Sequence, residues 1–373
     1  MNYEFALLCS SPSWGGLEMN FFKWAIWTHQ LKFSFLVYVD QSTTIFNKLQ
    51  NFPQIQTQSF KRNLKKFDLF TAYKLAKSFK KSRISKVLVT SNIDLDLVCW
   101  VKFFNPKLKI IYVQQMQLGV IKKNFYFNWK YKEINTWVTP LPWLKQQLKM
   151  MTNLSDEQIK LHPLPIDCNN WTSCSKEEKM AAKKKLNLPE NSTVIGLLGR
   201  IDPGKKQKLV LEAFINLLER RSDLKSQNLH LLFAGEPTLN EQISAQYFQE
   251  LKNKVQTSQL TKQVTFIAHQ DNPSILYQAL DYFIMPTSKE SFGMVTLEAL
   301  ASGLTVIGCN DGGTKELLED GKWGYLFEAD NYLSLSLALE KGLESKDQNL
   351  DRQNYLNEFD YRKVLPNIYR YFS

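Results

Sequence analysis

No run of apolar residues in this 373-residue sequence approaches the roughly 18 needed to cross a bilayer. The opening stretch MNYEFALLCSSPSWGG has no basic segment followed by a long apolar one. Neither membrane insertion nor secretion is expected, and the sequence reads as cytoplasmic. Cysteine is scarce. Cys9, Cys99, Cys168, Cys174 and Cys309 are odd in number and form no C-x-x-C pair, which argues against a zinc site or a disulfide framework and suits a reducing cytosol. All five receive structural roles. The four histidines, His29, His162, His230 and His269, lack metal-ligand spacing, and no G-x-x-x-x-G-K-[ST] phosphate loop occurs. No internal repeat or low-complexity segment stands out.

What is present is the composition of a globular protein, 44% hydrophobic and 22% charged. The length exceeds that of a usual single core, so two domains of roughly 150 to 200 residues are expected. Positive charge is concentrated in the first half: residues 1–171 hold 23 Lys and Arg against 10 Asp and Glu, leaving 24 against 26 for the remainder. The densest part, residues 60–86, has ten basic residues, one acid (Asp68) and interleaved Phe60, Leu64, Phe67, Leu75 and Phe79. This pattern predicts a basic amphipathic helix or helix pair. Three readings of it are open: a solvated lysine face over a core stripe, attachment to an anionic membrane surface, and nucleic-acid binding, which no recognised nucleic-acid module accompanies.

Short apolar, β-branched runs alternate with helix-length segments. EFALLC (4–9), FSFLVYVD (33–40), KVLVTSN (86–92) and KIIYVQ (109–114) read as buried strands of the first half. TVIGLLG (193–199), LHLLFAG (229–235), QVTFIA (263–268), DYFIMPT (281–287) and TVIGCN (305–310) repeat the pattern in the second. Strands so separated imply βαβ units, hence parallel sheets covered on both faces. Ligands of such sheets bind beyond the carboxyl ends of the strands. The break between halves is placed in HPLPIDCNNW (162–171), whose prolines resist helix and central strand alike.

Two strand ends carry chemistry. After TVIGLLG come Arg200 and IDPGKKQ, which place cations, among them Lys205 and Lys206, near a helix start suited to phosphate oxygens. Surface cations paired with nearby acids would look the same. After DYFIMPT comes KESFGMVTLEALASG, in which Ser291, Phe292 and Gly293 turn the chain into a helix ending near Ser302, with Gly303 just beyond. The amides of residues 292–295 would form a second phosphate cradle. Glu290 precedes the turn and Glu298 lies in the helix among apolar neighbours, where a carboxylate needs a partner. Two acids eight apart with a phosphate cradle between them suit a diphosphate flanked by two hydroxyl-rich groups. Asp94 and Asp96 form D-L-D but open a helix of the first half, where a structural role is expected.

Taken together these residues resemble the retaining nucleotide-sugar glycosyltransferases of the GT-B fold, the group 1 glycosyltransferases. The segment from Lys289 to Asn331 is similar to the E-x7-E region of that family, GRIDPGKKQ to its G-R-x4-K loop, and SPSWGGLEMN to its N-terminal glycine pair. The resemblance implies an α/β architecture of two Rossmann-like domains, with parallel sheets facing a central cleft. Glu290, Arg200 and Lys205 would be catalytic, the first approaching the transferred sugar and the two cations holding the diphosphate. Glu298 would hold the ribose, Phe292, Gly293, Met294 and Val295 would offer amides to sugar and phosphate, and Gly15 and Gly16 would approach the donor phosphates. Fixed cations would serve in place of a metal ion, and no cofactor is implied.

Residues 1–165 are expected to form the acceptor-binding domain, 166–350 the nucleotide-sugar domain, and 351–373 a helix crossing back to the first. The implied activity is hexosyl transfer to a glycan or lipid-linked saccharide, in the cytoplasm or at the inner membrane face. The chain departs from the family at 114–117, where Gln114, Gln115, Met116 and Gln117 stand near the position of a family histidine. Glutamine hydrogen-bonds but takes no proton at neutral pH. Positioning of sugar or acceptor is what remains to it. His269, after QVTFIA, is a candidate neighbour of the nucleobase. A sugar-nucleotide epimerase of the same architecture and a non-catalytic sugar-nucleotide-binding protein are the rival readings.

Overall fold

The computed structural model describes residues 3–372 apart from 65, 226–227, 239–240, 269, 271 and 346–351. His269 therefore lies outside the described residues. The apolar runs become strands of two wholly parallel sheets. The first contains β1 (Phe5–Cys9), β2 (Phe35–Asp40), β3 (Thr57–Phe60), β4 (Lys86–Val89), β5 (Lys109–Val113), β6 (Thr136–Thr139) and β7 (Ile159–Leu161), in the order β3-β2-β1-β4-β5-β6-β7. The second contains β8 (Thr193–Leu198), β9 (Leu229–Ala234), β10 (Val264–Ile267), β11 (Tyr282–Met285), β12 (Thr305–Cys309) and β13 (Gly324–Phe327), in the order β10-β9-β8-β11-β12-β13. Helices connect the strands as crossovers, the connection parallel pairing requires. In each sheet the order reverses beside the first strand, between β1 and β4 and between β8 and β11. Such a reversal opens a crevice at the strand ends.

The chain divides into a unit of residues 1–165 with 358–373 and a second of residues 166–357. In the first, the core packs both faces of β1, β2, β4 and β5, with Phe5, Tyr38, Phe79, Tyr112 and Trp137 among its largest buried side chains. The helix Tyr361–Arg370 belongs to this unit: the Tyr361 ring stacks on Trp27 at 5.0 Å, Tyr369 packs 4.5 Å from Phe5, and the Tyr369 and Thr28 hydroxyls share a hydrogen bond of 2.5 Å. Residues 60–86 do not form a continuous helix or helix pair. Phe60 ends edge strand β3, residues 61–64 and 66–68 are loop, and among the described residues only Leu69–Lys81 is helical, because the Asp68 carboxylate accepts the Thr71 N–H and caps the helix there.

In the second unit Ile195, Leu197, Phe214, Phe233, Ile284 and Ile307 belong to one apolar cluster. The helix Lys176–Lys185, opened by a Ser175/Glu178 capping box, leads into β8. Its Lys179 and Lys183 ammonium groups pair with Asp281, which also accepts the Val194 N–H at 2.8 Å. That carboxylate ties the starts of β8 and β11 together. All five cysteines are free thiols, with Cys9, Cys99 and Cys309 buried. His230 is buried in β9 against the Thr265 hydroxyl at 2.9 Å, and burial pushes its imidazole down to about 4.

Candidate functional site

The predicted cations and Glu290 stand at the carboxyl ends of β8 and β11, the neighbours at the switch point of the second sheet. Beyond β8 the chain runs beside the segment following β9: Gly199 donates to the Ala234 carbonyl at 2.9 Å and Ile201 to that of Glu236 at 2.9 Å. The approach is so close that a Cβ on Gly235, whose φ is +149°, would lie 2.0 Å from the Gly199 carbonyl oxygen. Only glycine fits there. The buried Gln207 amide donates to the Arg200 carbonyl at 2.8 Å and fixes the next turn. The Arg200 side chain is 68% exposed, with Thr238 at 3.5 Å and the Asp202 carboxylate at 4.0 Å.

Lys205 ends the 3-10 turn Pro203–Lys205, and Lys206 follows in the left-handed region at φ +55°. The Lys206 ammonium bonds Ser288 at 2.8 Å and Asp330 at 2.5 Å, which joins this turn to the segment after β11. Lys205 is thereby brought to Glu290, with ammonium and carboxylate 3.4 Å apart and both partly exposed. Gly293, at φ +95°, caps the helix Met294–Ala301, and its carbonyl accepts the N–H groups of Thr296 and Leu297. The first amides of any helix have no acceptor within it, so this end carries the partial positive charge expected of a phosphate cradle. Met294 and Val295 open the helix and Phe292 is buried behind the turn. Ser302 is the C-cap, and Gly303 follows at φ +78°.

Glu298 has the partner that its apolar surroundings require. The Tyr277 hydroxyl donates to its Oε2 at 2.9 Å, and the Tyr277 ring is itself held edge-on by Trp171 at 5.1 Å. Burial, reinforced by the Glu298 charge, pushes the Tyr277 phenol far up, so it remains a donor. Sequence reasoning passed over Gly312 and Gly313 after β12. Gly313 N–H donates to the Glu290 carbonyl at 2.8 Å, and a Cβ on Gly313 would sit 2.5 Å from the Phe292 carbonyl oxygen. Gly312 has φ +59° and approaches Lys289 and Glu290 as closely. The glycine pair in NDGG was the available signal.

Gly15 and Gly16 lie in the first unit, after β1. Gly15 caps the helix Gly16–Gln30, its N–H donating to the Glu18 carboxylate at 3.0 Å, while Ser11 bonds the other Glu18 oxygen. A Cβ on Gly16 would meet nothing within 4 Å, so the backbone here is open to approach. Gln114 is wholly buried: its amide donates to the Met116 carbonyl at 2.9 Å and accepts the Trp137 indole N–H at 3.1 Å. These bonds hold Gln114 just beyond the end of β5. Gln115 points elsewhere, accepting from Asn20 at 2.9 Å with its own buried Nε2 unpartnered.

Asp94 and Asp96 lie in the first turns of the helix Asn92–Phe104 and are buried. Asp94 Oδ1 accepts the Ser10 N–H at 3.0 Å and the Ser10 hydroxyl at 2.5 Å, with the Arg62 guanidinium 3.6 Å away, while Oδ2 is unpartnered. Burial pushes this carboxyl up to about 6, with the Ser10 hydrogen bond and Arg62 opposing and Glu18 adding a smaller push. An ordinary Asp titrates near 3.9, so the folded state binds the proton more tightly. Its contribution to stability is therefore present below about 4 and declines as pH rises to about 6. Asp94→Asn is expected to remove that slope from urea midpoints measured between those pH values, a difference of roughly 2 to 3 kcal/mol across the window.

Two parallel α/β units, each with its switch point beside its first strand, define the class of GT-B folds. The sequence model of the family described as "Glycosyl transferases group 1" matches residues 178–359, nearly all of the second unit. A D-inositol 3-phosphate glycosyltransferase of Corynebacterium urealyticum is 29% identical over 211 residues, 55% of this chain and 49% of that protein. The chain thus spans about half the length of the curated relatives it matches. A glycosyltransferase from Rickettsia africae shares the fold with a TM-score of 0.83 at 19% identity, covering 99% of this chain and 98% of that one. Anabaena Alr3699/HepE, crystallised with UDP, gives a TM-score of 0.78 at 17% identity with coverage of 99% and 98%.

Proposed function

We propose that the chain is a retaining glycosyltransferase of the hexosyl type. It moves a sugar from a nucleoside diphosphate sugar to a glycan or lipid-linked saccharide in the cytoplasm, without a cofactor or a metal ion. The observation that carries this reading is the Lys205–Glu290 pair, 3.4 Å apart, beside the Gly293-capped helix. A donor entering there exchanges the pair for better partners: Lys205 turns to the diphosphate and Glu290 to sugar hydroxyls. Arg200, with most of its surface in solvent, is free to follow. As the anomeric bond breaks, the departing nucleoside diphosphate gains negative charge, which Lys205, Arg200 and the amides of Met294 and Val295 stabilise. Glu298, oriented by Tyr277, accepts the ribose hydroxyls. Gly15 and Gly16 keep the phosphate-approach role that the resemblance implies.

The UDP in the HepE structure supports the nucleoside diphosphate half of this reading. The test is an assay of nucleotide release with UDP-, GDP- and ADP-sugars in the presence and absence of saccharide acceptors. Release that depends on acceptor is the expected result. Conversion of the sugar nucleotide alone identifies an epimerase instead, and binding without turnover a silent module.

A further inference from the structure

Seven large aromatic side chains among the described residues are exposed, and six of them, Trp14, Phe67, Phe70, Tyr73, Phe103 and Phe125, belong to the first unit. Phe67, Tyr73 and Phe103 are joined into a seam running across three helices. Tyr73 lies 5.4 Å from Phe104, Phe104 5.3 Å from Phe103, Phe103 6.0 Å from Trp100, Trp100 6.0 Å from Phe67, and Phe67 5.6 Å from Tyr126. Phe70 stands beside it on the helix Leu69–Lys81, and Phe70 and Phe103 keep 61% and 65% of their surface in solvent.

The seam is held outward. Phe67 has φ +53°, a conformation that bulky residues rarely adopt unless the surroundings impose it. Buried Asp96 imposes it by accepting the Phe67 N–H at 3.2 Å while it also binds the Tyr126 hydroxyl and faces the Lys130 ammonium at 3.7 Å. Lysines frame the rings: Lys74 lies 4.0 Å over Phe70, Lys77 4.7 Å over Tyr73, and Lys80 bonds the Phe104 carbonyl at 3.2 Å. Of the acids on these elements, Asp68, Asp94 and Asp96 are buried and Glu133 pairs with Lys102 at 3.7 Å, so the charge left to face solvent is positive.

We infer that this face of the first unit docks onto an anionic lipid bilayer, with Phe67, Phe70 and Phe103 entering the headgroup boundary and the lysines meeting lipid phosphates. Exposed aromatics with lysine stems laid along them are the side-chain chemistry of an interfacial membrane anchor. A flat anionic surface supplies the complementary charge. No helix among the described residues is long and apolar enough to cross the bilayer, so attachment is peripheral. Single-stranded nucleic acid would need open ring faces for base stacking. Here lysines cover Phe70 and Tyr73, and Phe103 and Phe104 meet edge to face at 82°. The inference is independent of the sugar-transfer reading.

The test is co-sedimentation of the full chain with phosphatidylcholine vesicles with and without phosphatidylglycerol. Binding to the anionic vesicles alone, weakened by salt, is expected. The double variant Phe70→Ser/Phe103→Ser should lower partitioning roughly tenfold, and Lys74→Glu/Lys77→Glu by about as much, with circular dichroism unchanged in both. Four results would overturn the inference: equal binding to both vesicles, undiminished binding by both variants, tighter binding to a single-stranded oligonucleotide, or a dimer that Phe70→Ser/Phe103→Ser dissociates.

Discussion

Lys205→Ala and Glu290→Gln are each expected to lower kcat by about 10²- to 10³-fold, the effect of removing one preorganised charge from a developing anion or its sugar. The two should differ in character. On the proposed reading Lys205 would face the diphosphate in ground and transition states alike, so its loss should also weaken binding of the free nucleoside diphosphate; Glu290 would face the sugar, so its loss should leave nucleotide affinity nearly intact. Both side chains are partly exposed and, among the described residues, paired with each other across 3.4 Å, and an exposed pair of this kind contributes under about 1 kcal/mol to folding. Thermal unfolding should therefore be nearly unchanged. Steady-state kinetics beside nucleotide titration checks both halves. Near-normal turnover in either variant would remove that residue from the chemistry.

Gly313→Ala should damage the strand-end loops that carry Glu290. Its Cβ would stand 2.5 Å from the Phe292 carbonyl oxygen and 3.0 Å from that of Glu290, neither of which is the yielding tip of a side chain. To admit it, the segment after β11 must retreat and the Gly313 N–H bond to Glu290 must lengthen. Overpacking of this kind costs about 1 to 3 kcal/mol. The activity loss should exceed what that destabilisation explains, because the displaced backbone carries Glu290 and the Gly293 cap. Gly119→Ala is the control: its Cβ would meet nothing within 4 Å, and urea midpoint and turnover should stay at wild-type values.

The expectation for residues 289–303 rested on local chemistry, and the turn, the helix start and Gly303 lie close to where the residue types put them. The nine apolar runs named as strands all occur as strands. β3, β6, β7 and β13 went unnoticed because their apolar runs are broken: TQSF and IKL are partly exposed edge strands, TWVT is framed by threonines and GYLF opens on glycine. The basic stretch of residues 60–86 misled for a related reason: lysine spacing suggests helix, but Asp68 starts the helix eight residues in. Gly312 and Gly313 were marked in the sequence by the pair in NDGG alone, because their importance comes from backbone brought alongside by another crossover. Gln114 and Gln115 look equivalent in sequence. Just beyond the end of β5, one turns toward Trp137 and the other toward Asn20.

The helix Tyr361–Arg370 has a bearing on how the protein is made. Residues 166–357 form one uninterrupted stretch and can condense as soon as they leave the ribosome, whereas the unit begun at residue 3 waits for Tyr361, Tyr369 and Phe372 to cover Trp27, Thr28 and Phe5. Translation thus finishes the later unit before the earlier one. Until then an apolar surface on the nascent chain stays uncovered, a natural landing place for chaperones.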